Sequence, residues 1–192
     1  MLLTKKIELF SKRLKLRLIE TSDLREIHNL HSLVETDEFN TLGIPEDSTE
    51  TSGIITSWIT ANKEKKINNY TFVIEDISVN QFIGLFALNL GDKKHRSGEV
   101  WFKLHFDHWG KGYGTEAVNR VLDFGFNDLN LHRIKAGCAV QNIASIKVLE
   151  KVGMIREGRG RQLLPLKSGW SDNFHYAILD TDSRSRNLEI KR

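Results

Sequence analysis

The chain has 192 residues, 40% of them hydrophobic and 28% charged, with 28 Lys and Arg against 25 Asp and Glu. That length suits one buried core, and a formal charge of +3 is too small to mark a protein that coats nucleic acid. The single cysteine, Cys138, excludes an internal disulfide and a multi-cysteine metal site, and without a long apolar run the expected compartment is the cytoplasm, with no membrane partner.

Leu14, Leu16 and Leu18 alternate with Lys15 and Arg17, which predicts a first strand with one buried face. Asp23 followed by Glu26 predicts a capped helix start, and Leu24, Ile27, Leu30, His31 and Val34 follow at helical spacing. A second helix is predicted over 54–67, where Thr, Trp and Ile keep the propensity weak. Apolar and β-branched runs at 70–74, 82–90 and 100–106 predict an antiparallel meander. In the third run Val100, Phe102, Leu104 and Phe106 share one face, and Glu99, Trp101, Lys103 and His105 share the other. The period then changes. Ala117, Val118, Val121, Leu122 and Phe124 predict a helix over 115–127, followed by a strand over 133–139, a helix over 144–151, and strands over 154–157 and 174–179. The order predicts an α+β fold with a mixed sheet, a single domain over 1–182, and a polar basic tail over 183–192.

The charges are unevenly placed: residues 1–96 carry 13 basic and 14 acidic side chains, and residues 97–192 carry 15 and 11. Glu35, Asp37, Glu38, Glu46, Asp47 and Glu50 fall within one segment that contains no Lys or Arg.

The most distinctive local feature is the run Trp109, Gly110, Lys111, Gly112, Tyr113, Gly114 and Thr115, between a predicted strand and a predicted helix. Alternate glycines let the backbone turn tightly and let several N–H groups converge on one oxyanion at a helix N-terminus. A phosphate suits such a loop; a purely structural turn is the alternative. The Walker spacing is absent, and the last glycine comes too early for the dinucleotide fingerprint.

This run resembles the pyrophosphate loop of the GNAT superfamily of acyl-CoA N-acyltransferases. A second block, from Asn142 through Ser145 to Gly153 and Met154, is similar to the Asn-x-x-Ser…Gly-Phe segment of the branch containing the RimJ/RimL ribosomal-protein N-terminal acetyltransferases. Trp109 stands where that branch commonly has tryptophan. The resemblance implies a mixed, mostly antiparallel twisted sheet of about seven strands, flanked by helices and opened at the acetyl-CoA site by a strand bulge. It implies transfer of an acetyl group from acetyl-CoA, as cosubstrate, to a primary amine by direct attack in a ternary complex, with no metal. Gly110, Lys111, Gly112, Tyr113, Gly114 and Thr115 would hold the pyrophosphate. Leu104, His105 and Phe106 would pair with the pantetheine arm, and Asn142 would orient it. Ser145 would protonate the departing thiolate and Glu99 would act as base, with His105, His108, Asp172, His175 or a water relay as alternatives.

Each of these has a plainer role open to it. Glu99 can be a solvated strand-end carboxylate, Ser145 a helix-start hydroxyl bonded to backbone, and Asn142 an N-cap. Cys138 reads as a small buried hydrophobe rather than an acyl carrier. The histidines show no metal-ligand spacing with carboxylates, and Trp58, Trp101 and Trp170 are either core or walls of the acceptor site.

The acidic segment over 35–50 lies where such folds border the acceptor cleft. It would draw in a cationic amine, whether a peptide N-terminus, a polyamine or an aminosugar; a solvated acidic loop is the alternative. Likeness to the ribosomal branch favours the N-terminal amine of a protein or peptide. A non-catalytic acyl-CoA-binding module is the rival from another class. Nucleic-acid binding through Arg156, Arg159, Arg161 and the tail is disfavoured, and a homodimer is compatible with the sequence.

Overall fold

The computed structural model describes residues 7–184; residues 1–6, and the predicted tail beyond Arg184, lie outside that range. Eight strands follow in chain order: β1 (Glu8–Phe10), β2 (Leu14–Leu18), β3 (Asn69–Asp76), β4 (Gln81–Leu90), β5 (Ser97–Leu104), β6 (Arg133–Ala139), β7 (Ile155–Leu166) and β8 (Gly169–Leu179). They form one sheet in the order β1-β2-β3-β4-β5-β6-β8-β7. Among the described residues only β5 and β6 run parallel. The helices are α1 (Leu24–Ser32), α2 (Val34–Asp37), α3 (Ser48–Asn62), α4 (Tyr113–Asp123) and α5 (Ile143–Lys151). Among the described residues no helix is long and apolar enough to cross a membrane.

Successive side chains of the central strands serve two different cores, as period-2 geometry requires. Phe72, Phe86, Val100 and Leu104 pack with Ala117 and Val121 of α4 and Leu149 of α5. Val73 and Leu85 pack on the opposite face with Ile27 and Leu30 of α1 and Ile55 of α3. Covered on both sides, β3 and β4 carry continuous apolar runs rather than alternation.

The boundaries that shift do so for identifiable reasons. Asp23 does not pair with Glu26; its carboxylate accepts from the Glu20 N–H at 2.8 Å and from two nitrogens of Arg17 at 2.8 and 2.7 Å. The second helix begins at Ser48 rather than 54, because Asp47 caps it by accepting from the N–H groups of Thr49 and Glu50 at 2.8 and 3.0 Å. It ends at Asn62, whose amide bonds both the N–H and the C=O of Thr71, at 3.1 and 3.0 Å. The sheet has one strand more than expected because β1 spans only Glu8–Phe10, too few residues to show a period.

The sheet is open at its centre, but no bulge opens it. β4 and β5 stay in register from Gly84↔Leu104 to Leu90↔Gly98. Parallel pairing between β5 and β6 stops after Ser97↔Arg133, Gly98↔Ile134 and Glu99↔Lys135. Beyond those pairs β5 stays with β4 and β6 with β8, so the two strands diverge. The irregularities lie elsewhere, in β3–β4 and in the long β7–β8 hairpin.

Candidate active site

The divergence of β5 and β6 leaves a cleft of about 1490 Å³. At one end its wall includes Gly110, Gly112, Thr115, Asn142 and Ser145; at the other it includes His31, Glu35, Glu38, Trp58, Trp101 and Lys103. The first group belongs to the α4–α5 side of the sheet and the second to the α1–α3 side, so the gap joins the two faces.

The glycines of the loop have separate duties. Gly110 and Gly112 have φ of 72° and 81°, left-handed values that favour glycine. Gly112 is the N-cap residue of α4 and offers no side chain, so no side-chain cap meets the first N–H groups of the helix. Those groups are available to an anion at the positive end of the helix. Gly114 instead admits close packing, since a Cβ there would lie 3.4 Å from Val148 and 3.5 Å from Leu104. The Tyr113 side chain leaves the loop and donates its hydroxyl to Asp76 at 2.8 Å.

Arg13 is the main component that sequence reasoning missed. Its main-chain N–H and its Nε donate to the two oxygens of Glu116, each at 2.7 Å, and Nη1 donates to the Lys111 carbonyl at 3.0 Å. The guanidinium also lies over the Tyr113 ring, 4.4 Å from its centroid. Ser11 Oγ adds a further bond to Glu116 at 2.8 Å. A carboxylate in the first turn of α4 would repel a phosphate, and this clamp offsets its charge while bracing the loop. Trp109 braces the other side, its indole N–H donating to the Leu104 carbonyl at 2.9 Å.

Of the three residues expected along the pantetheine, Leu104 alone turns its main chain to the gap. The His105 N–H donates to the Ile83 carbonyl of β4 at 2.9 Å, and Phe106 opens a 3-10 turn spanning Phe106–His108. Because alternate residues of an antiparallel strand face the same neighbour, Phe102 joins Leu104 on the free edge.

Asn142 is the N-cap of α5, accepting from the Ser145 N–H at 3.0 Å. The Ser145 hydroxyl makes no hydrogen bond among the described residues, and the half-buried side chain lines the cleft. Glu99 stands at the last parallel pair, its carboxylate 3.0 Å from the Lys135 ammonium. Among the alternative bases, Asp172 accepts from the Gln162 N–H at 2.7 Å and from Arg159 at 2.6 Å. Those bonds hold its carboxyl below the usual range, a poor setting for a base. Burial lowers His108, and His175 lines the cleft beside Asn173. Cys138 is buried, and that burial, aided by Glu150, pushes its thiol up to about 11, which keeps it protonated at neutral pH and a weak nucleophile. Among the described residues no three His, Cys, Asp or Glu side chains converge as metal ligands.

On the α1–α3 side of the cleft Trp58 and Trp101 meet with ring centroids 5.7 Å apart, while Trp170 is 66% exposed on β8 and outside the wall. The acidic segment divides. Asp47 caps α3, and Glu50 in its first turn accepts from the Glu46 N–H at 2.8 Å; Glu35 and Glu38 line the cleft, and Asp37 is buried. Lys103 Nζ lies 3.2 Å from His31 Nδ1. Burial lowers His31 from 6.5 to about 4, and burial likewise brings Lys103 down to about 8 against the opposing pull of Asp37.

The His31 value sets a pH dependence. Between pH 6.5 and about 4 the unfolded chain binds the proton that folded His31 refuses, so stability falls as the medium is acidified through that window. The full loss amounts to about 3 kcal/mol. Urea unfolding at pH 7 and pH 4.5 is expected to show His31→Gln losing less stability than the parent by about that increment. Equal losses in the two proteins would contradict it.

The model of the acetyltransferase (GNAT) domain family matches residues 13–155. YnaD, an uncharacterized N-acetyltransferase of Bacillus subtilis, is 28% identical over 90% of this chain and 96% of its own length. The spermidine N(1)-acetyltransferase of Vibrio cholerae is 34% identical over 77% of this chain and 82% of its own. A crystal structure of spermidine N-acetyltransferase from Vibrio cholerae in complex with CoA and spermine has a TM-score of 0.79 at 30% identity, covering 89% of this chain and 98% of that one. These likenesses do not single out the RimJ/RimL branch.

Proposed function

The chain belongs to the GNAT acetyltransferase family as an acetyl-CoA-dependent N-acetyltransferase, and from that premise we propose that it acetylates the N-terminal amine of a protein or peptide by direct attack in a ternary complex. The observation that carries this reading is the single passage through the sheet, which lets a thioester from one face meet an amine from the other. The acceptor end combines exposed carboxylates, Glu35 and Glu38, with the donors Lys103 and His31. A peptide terminus, an ammonium followed by carbonyls, matches that mixture.

In this reading the pyrophosphate rests on the N–H groups that open α4, with Lys111 adding charge. The pantetheine follows the Leu104 and Phe102 edge, oriented by the Asn142 amide. The neutral amine nitrogen attacks the thioester carbonyl, a C–N bond forms, and the C–S bond breaks. Ser145 gives its hydroxyl proton to the leaving thiolate. Glu99, directly or through water, takes the proton that the amine loses, and solvent restores both groups.

A small cationic acceptor is the second reading, favoured by likeness to the spermidine acetyltransferases. Thiol release from acetyl-CoA should be followed with N-terminal peptides, spermidine and aminoglycosides at several salt concentrations, with mass location of the acetyl group. The expected result is a kcat/KM for peptides at least about tenfold above that for spermidine. Faster spermidine turnover would favour the second reading. Thermal protection by acetyl-CoA with no thiol release from any amine would leave a binding module.

A further inference from the structure

We propose that Arg13 is a positioning residue for the cofactor: by holding the Lys111 carbonyl, it aims the Gly112 N–H at a phosphate of CoA. The inference rests on the reading of the glycine loop as the pyrophosphate cradle, and deepens it by naming the residue that sets one donor of that cradle.

The peptide between Lys111 and Gly112 is the part of the loop whose orientation the backbone leaves open. Gly110 and Gly112, on either side of Lys111, have φ of 72° and 81°, and glycine accepts either sign of φ, so this peptide plane can turn over at little steric cost. The next plane is fixed, because the Gly112 carbonyl accepts from the Glu116 N–H at 3.1 Å. Among the described residues no main-chain bond does the same for the Lys111 carbonyl, which accepts from Arg13 Nη1 at 3.0 Å instead. A trans peptide sends its C=O and the following N–H to opposite sides. With the carbonyl turned to Arg13, the Gly112 N–H turns away from it, and that N–H makes no hydrogen bond among the described residues. Gly110 and Gly112 both line the cleft. Turned over, the same peptide would present an oxygen there, and a phosphate would meet repulsion in place of a donor.

Arg13 is itself held in place. Its Nε donates to Glu116 at 2.7 Å, and its guanidinium lies 4.4 Å from the centroid of the Tyr113 ring, which is tied through its hydroxyl to Asp76 at 2.8 Å. A Cβ built on Gly112 would stand 3.5 Å from Arg13 Nη2, so the guanidinium lies against the residue whose N–H it directs. Nε and Nη1 serve different partners from one rigid plane, an arrangement that lysine cannot reproduce.

The test measures binding to the full chain by titration calorimetry, with ligands that shorten the cofactor stepwise: CoA, 3′-dephospho-CoA, 4′-phosphopantetheine and pantetheine. No acceptor amine is needed. The parent is expected to bind CoA at least about 100-fold more tightly than pantetheine, and Arg13→Met should reduce that preference about tenfold or more by weakening the phosphorylated ligands alone. The ligand at which the loss appears identifies the phosphate. Arg13→Lys should lose most of the preference too, since it keeps the charge without the fork. Arg13→Met also leaves the Glu116 carboxylate unclamped, so Arg13→Met combined with Glu116→Gln separates repulsion from orientation and should stay as weak as Arg13→Met alone. The parent's preference in either the lysine or the combined variant would overturn the proposal, because charge alone would then account for the effect. So would equal loss of affinity for CoA and pantetheine, the mark of a general structural role. Amide exchange followed by NMR tests the parent without any variant: CoA should slow exchange at Gly112, and unchanged exchange there would overturn the proposal. The expected preferences without thiol release from any amine would support the inference while removing acetyl transfer. A parent that binds CoA no more tightly than pantetheine would overturn it together with the reading of the loop.

Discussion

A single methyl group added at Gly84 is expected to lower the unfolding free energy by about 3 kcal/mol, the upper end of overpacking costs, and to abolish most turnover with it. The reason is the closeness of β4 to β5. A Cβ at Gly84 would lie 2.2 Å from the Lys103 carbonyl oxygen and 2.8 Å from the Leu104 Cα. Both are main-chain atoms, so no side chain can swing aside. Strand β5 would have to move, and with it Lys103 on the α1–α3 face and Leu104 on the α4–α5 face. Gly158→Ala is the matched control, because a Cβ there meets nothing within 4 Å. Urea midpoints and thiol release measured on both variants decide the matter. A Gly84→Ala protein with the parent's midpoint would show that the strands are farther apart than described.

Ser145→Ala is expected to lower kcat about tenfold or more, at the modest end for loss of a general acid, with acetyl-CoA affinity nearly unchanged. The substitution is clean because the bond that starts α5 uses the Ser145 N–H, donated to Asn142 at 3.0 Å. Alanine keeps that N–H. Only the hydroxyl is lost, and it serves no partner among the described residues. Steady-state rates together with cofactor titration separate the chemical step from binding. Unchanged turnover would remove Ser145 from the reaction.

Features set by neighbouring residues were legible in the sequence. The strand predicted over 133–139 coincides with Arg133–Ala139, because its alternating burial is a local pattern. The glycine loop reads as a helix entry because tight turning and close packing depend on the absence of a Cβ, although the helix opens at Tyr113 rather than Thr115 and takes Gly114 into its first turn. Tertiary partnerships were not legible. Arg13 and Glu116 are 103 residues apart, and His31 and Lys103 are 72 apart; each reads alone as an ordinary turn, helix or strand residue. The acidic segment was legible only in part, for a different reason. Asp47 is a helix cap and Glu50 bonds the main chain just ahead of that helix, and charge counting cannot tell such residues from a patch. Strand β7 was seen only in part because most of Ile155–Leu166 is exposed, so no apolar period marks its length.

Only three residue pairs join β5 to β6. The eight strands therefore divide into plates of five and three that share one short seam, ending at Glu99 and Lys135. Two plates joined along a seam have a single opening angle, and that angle sets the width on both faces at once. A substitution that changed the seam at Glu99 and Lys135 would therefore be felt at Lys103 on one face and at Ser145 on the other.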